Sequence, residues 1–308
     1  MSEPGEGQSV EKIAKQEERE AVEKNRANTV LVTVDNDPES RTILRLAEKA
    51  GISFVKSDQP HGARLDREED VVQKVLAFNK GQVWIVEMPG PQTEDELRQS
   101  GQQVQIIDHH TYPGLDRVRD PLTGQRQKSS LEQFLHTARV SDQELTEWGF
   151  DPKVVRGLGI LDDRFVQGLR DEGYSKDEIN RVLDAREQLR MELDPDLEAI
   201  RTAAKKDWQK RREEAGYTIV ESDADKDIRA EIATLTIYDD VDTKPIIISS
   251  MGGDKIYVQN IDPGLVQKLK EKIPGNTFSF GAGRCWGIDF KGQAKTTEVN
   301  DILKVLSE

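Results

Sequence analysis

The chain has 308 residues, a third of them charged, and a formal net charge of −14. That length is enough for two domains with real cores. No apolar run is long enough to cross a bilayer, and the polar, acidic N-terminus argues against a secretory signal.

Cys285 is the single cysteine, so an internal disulfide framework is excluded and a reducing cytoplasm is the expected location. Proteins that hold long nucleic acids by backbone charge usually present a basic face. The acidic balance here favours short or small phosphate esters instead.

Residues 2–8 are small and polar and are expected outside regular structure. Ser9 to Asn25 is rich in Glu, Lys, Gln and Ala and predicts a solvated helix with Ser9 as N-cap. A surface arm is the plain role for it, an oligomerisation helix the other. Thr29 to Val34 is a β-branched strand ending in Asp35-Asn36-Asp37. A helix over Ile43–Ala50, closed by Gly51, leads to a strand over Ile52–Val55. An amphipathic helix over Glu69–Asn79 precedes the strand Val83–Val86, which ends in Glu87. A short helix over Glu94–Ser100 stops at Gly101. The apolar run Val104–Ile107 then predicts a buried strand ending in Asp108-His109-His110. Strand and helix alternating at this spacing predict an α/β fold with a doubly wound parallel sheet.

If the three strands lie parallel, Asp35, Asp37, Glu87, Asp108 and His109 converge on the edge where such sheets bind ligands. Carboxylates crowded together repel one another unless a cation sits among them. Oxygen ligands with an imidazole suit Mn2+ or Mg2+. The competing explanation is that acids commonly end strands because they favour turns.

Ser129 or Ser130 opens a helix over Leu131–His136, either as a plain cap or with free amides that cradle phosphate. Asp151-Pro152 starts another helix, which delivers Asp162 and Asp163 at its end, just before Phe165. Ser175 to Glu214 predicts two helices broken at Pro195, with Ser175 and Glu178 forming a capping box. They carry a basic run, Lys205-Lys206 and Lys210-Arg211-Arg212, that is a solvated face or a backbone contact. From Gly216 the pattern turns to short strands: Tyr217–Val220, Ala233–Ile237, Pro245–Ile248, Lys255–Val258, Thr277–Phe280 and Trp286–Phe290. Helices over Leu265–Ile273 and 297–306 complete a smaller α+β domain. Gly281 and Gly283 allow close backbone approach to a ligand, and Arg284 offers a fork of donors for phosphate. Trp286 either stacks on a base or packs in the core. The expected organisation is an arm (1–28), a catalytic domain (29–172), a helical connector (173–215) and a substrate-binding domain (216–308).

Asp35-Asn36-Asp37, Glu87, Asp108-His109-His110, Ser129-Ser130 and Gly159-Ile160-Leu161-Asp162-Asp163, in that order, resemble the DHH phosphoesterase superfamily. Its members include single-strand exonucleases, nanoRNases, cyclic dinucleotide phosphodiesterases and manganese pyrophosphatases. Gly281–Gly287 is similar to the glycine-rich signature of the substrate-binding domain that usually follows. The resemblance implies metal-assisted phosphoester hydrolysis. Asp35 and Asp37 would ligate metal, Glu87 would stand where the family has a bridging aspartate, and His109 would ligate. His110 would contact the phosphate, and Asp108 would fix the tautomer of a neighbouring imidazole. Ser129, Ser130, Gly281, Gly283 and Arg284 would hold substrate phosphate. The last ligand is Asp163 counting forward from Gly159, or Asp162 counting back from Phe165.

Two departures bear on this. The family commonly has a histidine or an aspartate where this chain has Leu31 or Thr33, and Glu87 is one methylene longer than the usual aspartate. One well-formed ion site is therefore expected, built from Asp37, Glu87, His109 and Asp162 or Asp163, with a second ion weak or absent. The expected function is a metal-dependent phosphodiesterase for short oligonucleotides or small nucleotide esters, with room for a homodimer. The alternatives are a catalytically impaired nucleotide- or protein-binding descendant, and a single-strand exonuclease with a basic channel.

Overall fold

The computed structural model describes residues 6–60, 62–280, 283–290 and 292–308, with the side chains of 6–15 and of Phe280 left aside. The chain divides into two compact units, Met1–Leu193 and Asp194–Glu308.

In the first unit the order is α1 (Glu6–Ala27), β1 (Thr29–Val34), α2 (Pro38–Lys49), β2 (Ser53–Ser57), α3 (Val71–Leu76), β3 (Gln82–Val86), α4 (Pro91–Gln99) and β4 (Gln103–Ile107). A small hairpin, β5 (Thr111–Tyr112) and β6 (Leu115–Asp116), leads to α5 (Ser130–Thr137), α6 (Asp142–Glu147), α7 (Pro152–Asp171) and α8 (Lys176–Leu193). The four main strands form one parallel sheet in the order β2-β1-β3-β4. Side chains alternate across it, as the two-residue period of a strand requires. Val30, Val32, Val34, Val83 and Ile85 pack on one face with Leu65, Val71, Val75 and Leu97. On the other, Trp84 meets Phe134 of α5 edge to face at 6.2 Å. The pairings Val32 with Ile85 and Val86 with Ile107 bring the ends of β1, β3 and β4 level.

Several expectations are corrected here. Strand β4 is not buried: it is an edge strand, with Gln103 and Gln105 exposed and Ile107 alone fully buried. Helix α2 starts at Pro38, five residues before the apolar face begins, because Asp37 caps it and proline suits the first turn. Helix α1 starts at Glu6, which places Ser9 inside it; of residues 2–8, positions 2–5 lie outside the described residues. Helix α7 does not end at Asp163 but continues to Asp171 through a break at Phe165 (φ 55°, ψ −162°). The Ser175–Glu178 box forms, with Ser175 N donating to Glu178 Oε2 at 2.8 Å. Of the two connector helices, α8 belongs to the first unit and packs along α7.

The second unit runs α9 (Leu197–Gln209), β7 (Arg212–Glu214), β8 (Tyr217–Glu221), α10 (Arg229–Tyr238), β9 (Ile246–Ser250), β10 (Lys255–Gln259), α11 (Pro263–Lys272), β11 (Thr277–Phe280), β12 (Cys285–Asp289) and α12 (Val299–Ser307). Its sheet has the order β11-β12-β10-β9-β8-β7 and is antiparallel except between β8 and β9. Helices cover both faces. Ile219, Ile247, Ile256, Trp286 and Ile288 pack with Val266, Leu269 and Ile302, while Val220, Ile246, Ile248 and Tyr257 pack with Ala204, Trp208 and Ile232. Trp286 is fully buried, so it is a core residue rather than a stacking platform. The strand expected over Ala233–Ile237 is instead helix α10. Its β-branched residues suggested a strand, but Ile228, Ile232 and Leu235 recur at helical spacing and dock on the sheet. Packing overrides the weak local preference.

Candidate metal centre

The three level strand ends deliver their acidic residues in different ways. Asp35 is turned to cations of its own chain: Arg41 reaches it with two nitrogens at 2.8 and 3.0 Å, and Lys56 lies 3.7 Å away. The Arg41 contact holds this carboxyl below its ordinary range. Asp37 caps α2, accepting from Ser40 N at 2.7 Å. Burial, then the nearby charge of Glu87 and more weakly Asp162, pushes its carboxyl up to about 6.

Glu87 follows β3 directly, in the left-handed region at φ 53°. Its amide still donates to Ile107 O at 3.2 Å, so the ladder to β4 runs one bond further while the chain turns. A non-glycine residue there costs on the order of 1 kcal/mol, and such outliers gather at functional sites.

His109 and His110 leave β4 with ring centroids 4.2 Å apart. His109 Nε2 lies 3.2 Å from Asp162 Oδ2, 3.4 Å from Glu87 Oε1 and 3.6 Å from Glu39 Oε2. None of these approaches has hydrogen-bonding geometry, and His109 Nε2, Glu87 Oε1 and Glu39 Oε2 are all buried without a partner. Burial opposes charge on this ring, but Asp162, Glu39 and Glu87 outweigh it and push His109 up to about 12. Asp108 is buried beneath His110, accepting from its backbone N (3.0 Å) and from the Tyr112 hydroxyl (3.0 Å). Its Oδ1 also lies 3.1 Å from His110 Nδ1, a contact that raises the affinity of the ring for its proton.

Helix α7 brings Asp162 in. Gly159, one turn before it, has no room for a side chain: a Cβ there would lie 2.4 Å from Ser129 Oγ. That close approach sets α7 against α5. Ligand atoms of Glu87, His109, His110 and Asp162 all lie within 4.8 Å of one another. Asp163 stands 3.6 Å from His109 Nδ1, but its carboxylate is engaged by Arg126 (2.6 Å) and Arg164 (3.6 Å). Of the two aspartates, Asp162 is the one with no guanidinium in ion-pairing range among the described residues.

Other residues singled out by the sequence stand apart from this cluster. Ser129 is fully buried and caps α5, accepting from Glu132 N at 3.2 Å; Ser130 is also fully buried. Leu31 and Thr33 are enclosed in β1. In the second unit, Gly281 lies outside the described residues. Gly283 has φ 78°, a conformation that favours glycine, and Arg284 is exposed.

Glu39 was missed. At the second position of α2 an acid reads as an ordinary partner of the helix dipole, and no pattern separates it from that role. The set fits a divalent cation: carboxylate oxygens and an imidazole nitrogen face one another, with Glu39 Oε2, Glu87 Oε1 and His109 Nε2 buried without partners and Asp162 at the more open side.

No family model and no curated protein matches the sequence. Among solved structures, the chain is similar to exonuclease RecJ bound to manganese, at 14% identity over 91% of this chain and 88% of that one, with a TM-score of 0.38. It is also similar to the pGpG-specific phosphodiesterase PggH from Vibrio cholerae, at 11% identity over 91% of this chain and 99% of that one, with a TM-score of 0.38. A third, RecJ in complex with Mn2+ from Thermus thermophilus, shares 13% identity over 87% of this chain and 51% of its own length, with a TM-score of 0.34. Likeness at that level identifies no activity, so the chemistry has to come from the geometry of the site.

Proposed function

We propose that this chain is a divalent-cation-dependent phosphodiesterase of the DHH type, acting on short oligonucleotides or small nucleotide esters. The observation that carries this is the meeting of His109 Nε2, just past β4, with two unpartnered, buried carboxylate oxygens, Glu87 Oε1 just past β3 and Glu39 Oε2 on α2. Glu87, His109 and Asp162 would hold Mn2+ or Mg2+, with Asp37 beside them. When bound, such an ion lowers the pKa of water and absorbs phosphate charge.

The other residues have their own parts. Asp108 holds His110 at Nδ1, which leaves Nε2 to give a proton to, or hold it near, a substrate oxygen. His110 is about half as exposed as a free side chain, with 43% of its surface open, so substrate can reach it. The acidic surroundings repel a long polyanion and tolerate a small one.

A second reading, binding without catalysis, is favoured by Asp35, whose carboxylate is committed to Arg41, and by the apolar Leu31. The test is Mn2+-dependent release of nucleotide from dinucleotides and cyclic dinucleotides by the wild-type protein and by His109→Ala. The proposal expects release by the wild type and none by the variant. Equal release from both overturns it, and Mn2+ binding without release supports the second reading.

A further inference from the structure

Glu39 is the member of this cluster that the sequence pattern does not contain. It is 2% exposed, two residues past the cap Asp37 and directly after the helix-opening Pro38. One oxygen is satisfied: Oε1 accepts from the amide of Leu131, in the first turn of α5, at 2.8 Å. The other, Oε2, has no partner and lies 3.6 Å from His109 Nε2, which has none either. A carboxylate buried with one oxygen bare is costly unless positive charge is brought to it. Oxygen and nitrogen atoms sharing one Mn2+ at bonds of about 2.1 Å sit roughly 3 to 4 Å apart, the spacing seen here.

We propose that Glu39 is a direct ligand of the cation, an inference that rests on the metal-centre reading above. It supplies from α2 the charge that Leu31 and Thr33 cannot, and that Asp35 has committed to Arg41. The role of the Ser129-Ser130 turn changes with it. The Leu131 amide holds Glu39 and the Glu132 amide is held by Ser129, so these two donors position a ligand and a helix rather than a substrate phosphate.

The test is Glu39→Gln, which keeps the volume and the oxygen that accepts from Leu131 but removes the charge. Mn2+ alone is titrated by calorimetry, and Tm is measured with and without Mn2+. The expected result is Mn2+ binding at least about tenfold weaker and a smaller Mn2+-induced rise in Tm, with a metal-free Tm equal to or above that of the wild type. If Glu39→Gln does not fold, Glu39→Asp serves: it keeps the charge, falls short by one methylene and must also weaken Mn2+ binding. A variant that binds Mn2+ as tightly as the wild type overturns the role of Glu39 alone, as does a fall in metal-free Tm with unchanged affinity. A wild-type protein that binds no Mn2+ overturns the metal centre and Glu39 with it.

Discussion

Asp227 in the second unit accepts from the hydroxyls of Tyr257 and Ser250 and stands 3.5 Å from Lys255 Nζ. Glu87, Glu39 and Asp162 in the first unit crowd against His109, and among the described residues the side-chain cations in ion-pairing range of them are His109 and His110 alone. In both places folding has taken carboxylate groups partly out of water. The chain answers the first with its own hydroxyls and ammonium. It leaves the second with bare oxygens and an imidazole nitrogen, groups suited to a cation from outside. Acidity is common to the two, and the missing partner distinguishes them.

Paired substitutions break that comparison most sharply. Glu87→Gln should weaken Mn2+ binding by roughly 10- to 100-fold while leaving the metal-free fold intact. Asp227→Asn should leave Mn2+ binding unchanged and cost about 2 kcal/mol of stability, because it strips charge from a set of hydrogen bonds. Calorimetric titration and denaturant unfolding of both variants check this, and the same response from both would erase the distinction.

The pH dependence is the next largest effect. In the metal-free protein Asp37 is raised from 3.8 to about 6, so the folded state holds this proton more tightly than the unfolded chain does. Its contribution to stability is present below about pH 4 and lost as pH rises through 6. His109, raised to about 12, contributes below its unfolded value near 6.5 and loses that contribution only as pH rises toward 12. A cation needs both groups deprotonated, so Mn2+ binding should release protons and tighten by up to about tenfold per pH unit for each proton displaced. Titration in buffers of different ionisation enthalpy counts the protons. An affinity that stays flat from about pH 5 to 8 would contradict the assignment.

The smallest expected effect separates adjacent aspartates. Asp162→Asn should cost about tenfold in Mn2+ affinity, whereas Asp163→Asn, whose carboxylate is engaged by Arg126 and Arg164, should cost no more than about threefold. Losses in the reverse order would move the last ligand to Asp163.

Much of the strand framework could be read from residue order. β1 falls where its β-branched run stands, and β3 within one residue of its apolar run, because a short run bounded by turn residues has few other ways to bury itself. His109 and Glu87 were legible for the same reason: each follows a strand that a parallel sheet must align. α10 was not, since Ala233–Ile237 suits strand and helix alike and only the sheet surface it docks on decides between them. Nor was the break at Phe165, which no local rule anticipates in an aromatic residue.

By itself the sequence determined that acids and imidazoles end three aligned strands, because side-chain type and chain order are local properties. Only the tertiary structure decided which of those acids remain without partners. Arg41 lies six residues from Asp35 and neutralises it, while Glu39 reaches the Leu131 amide across 92 positions and turns its free oxygen toward His109. Partnering is a matter of distance in space and of access to water, and neither can be counted along the chain.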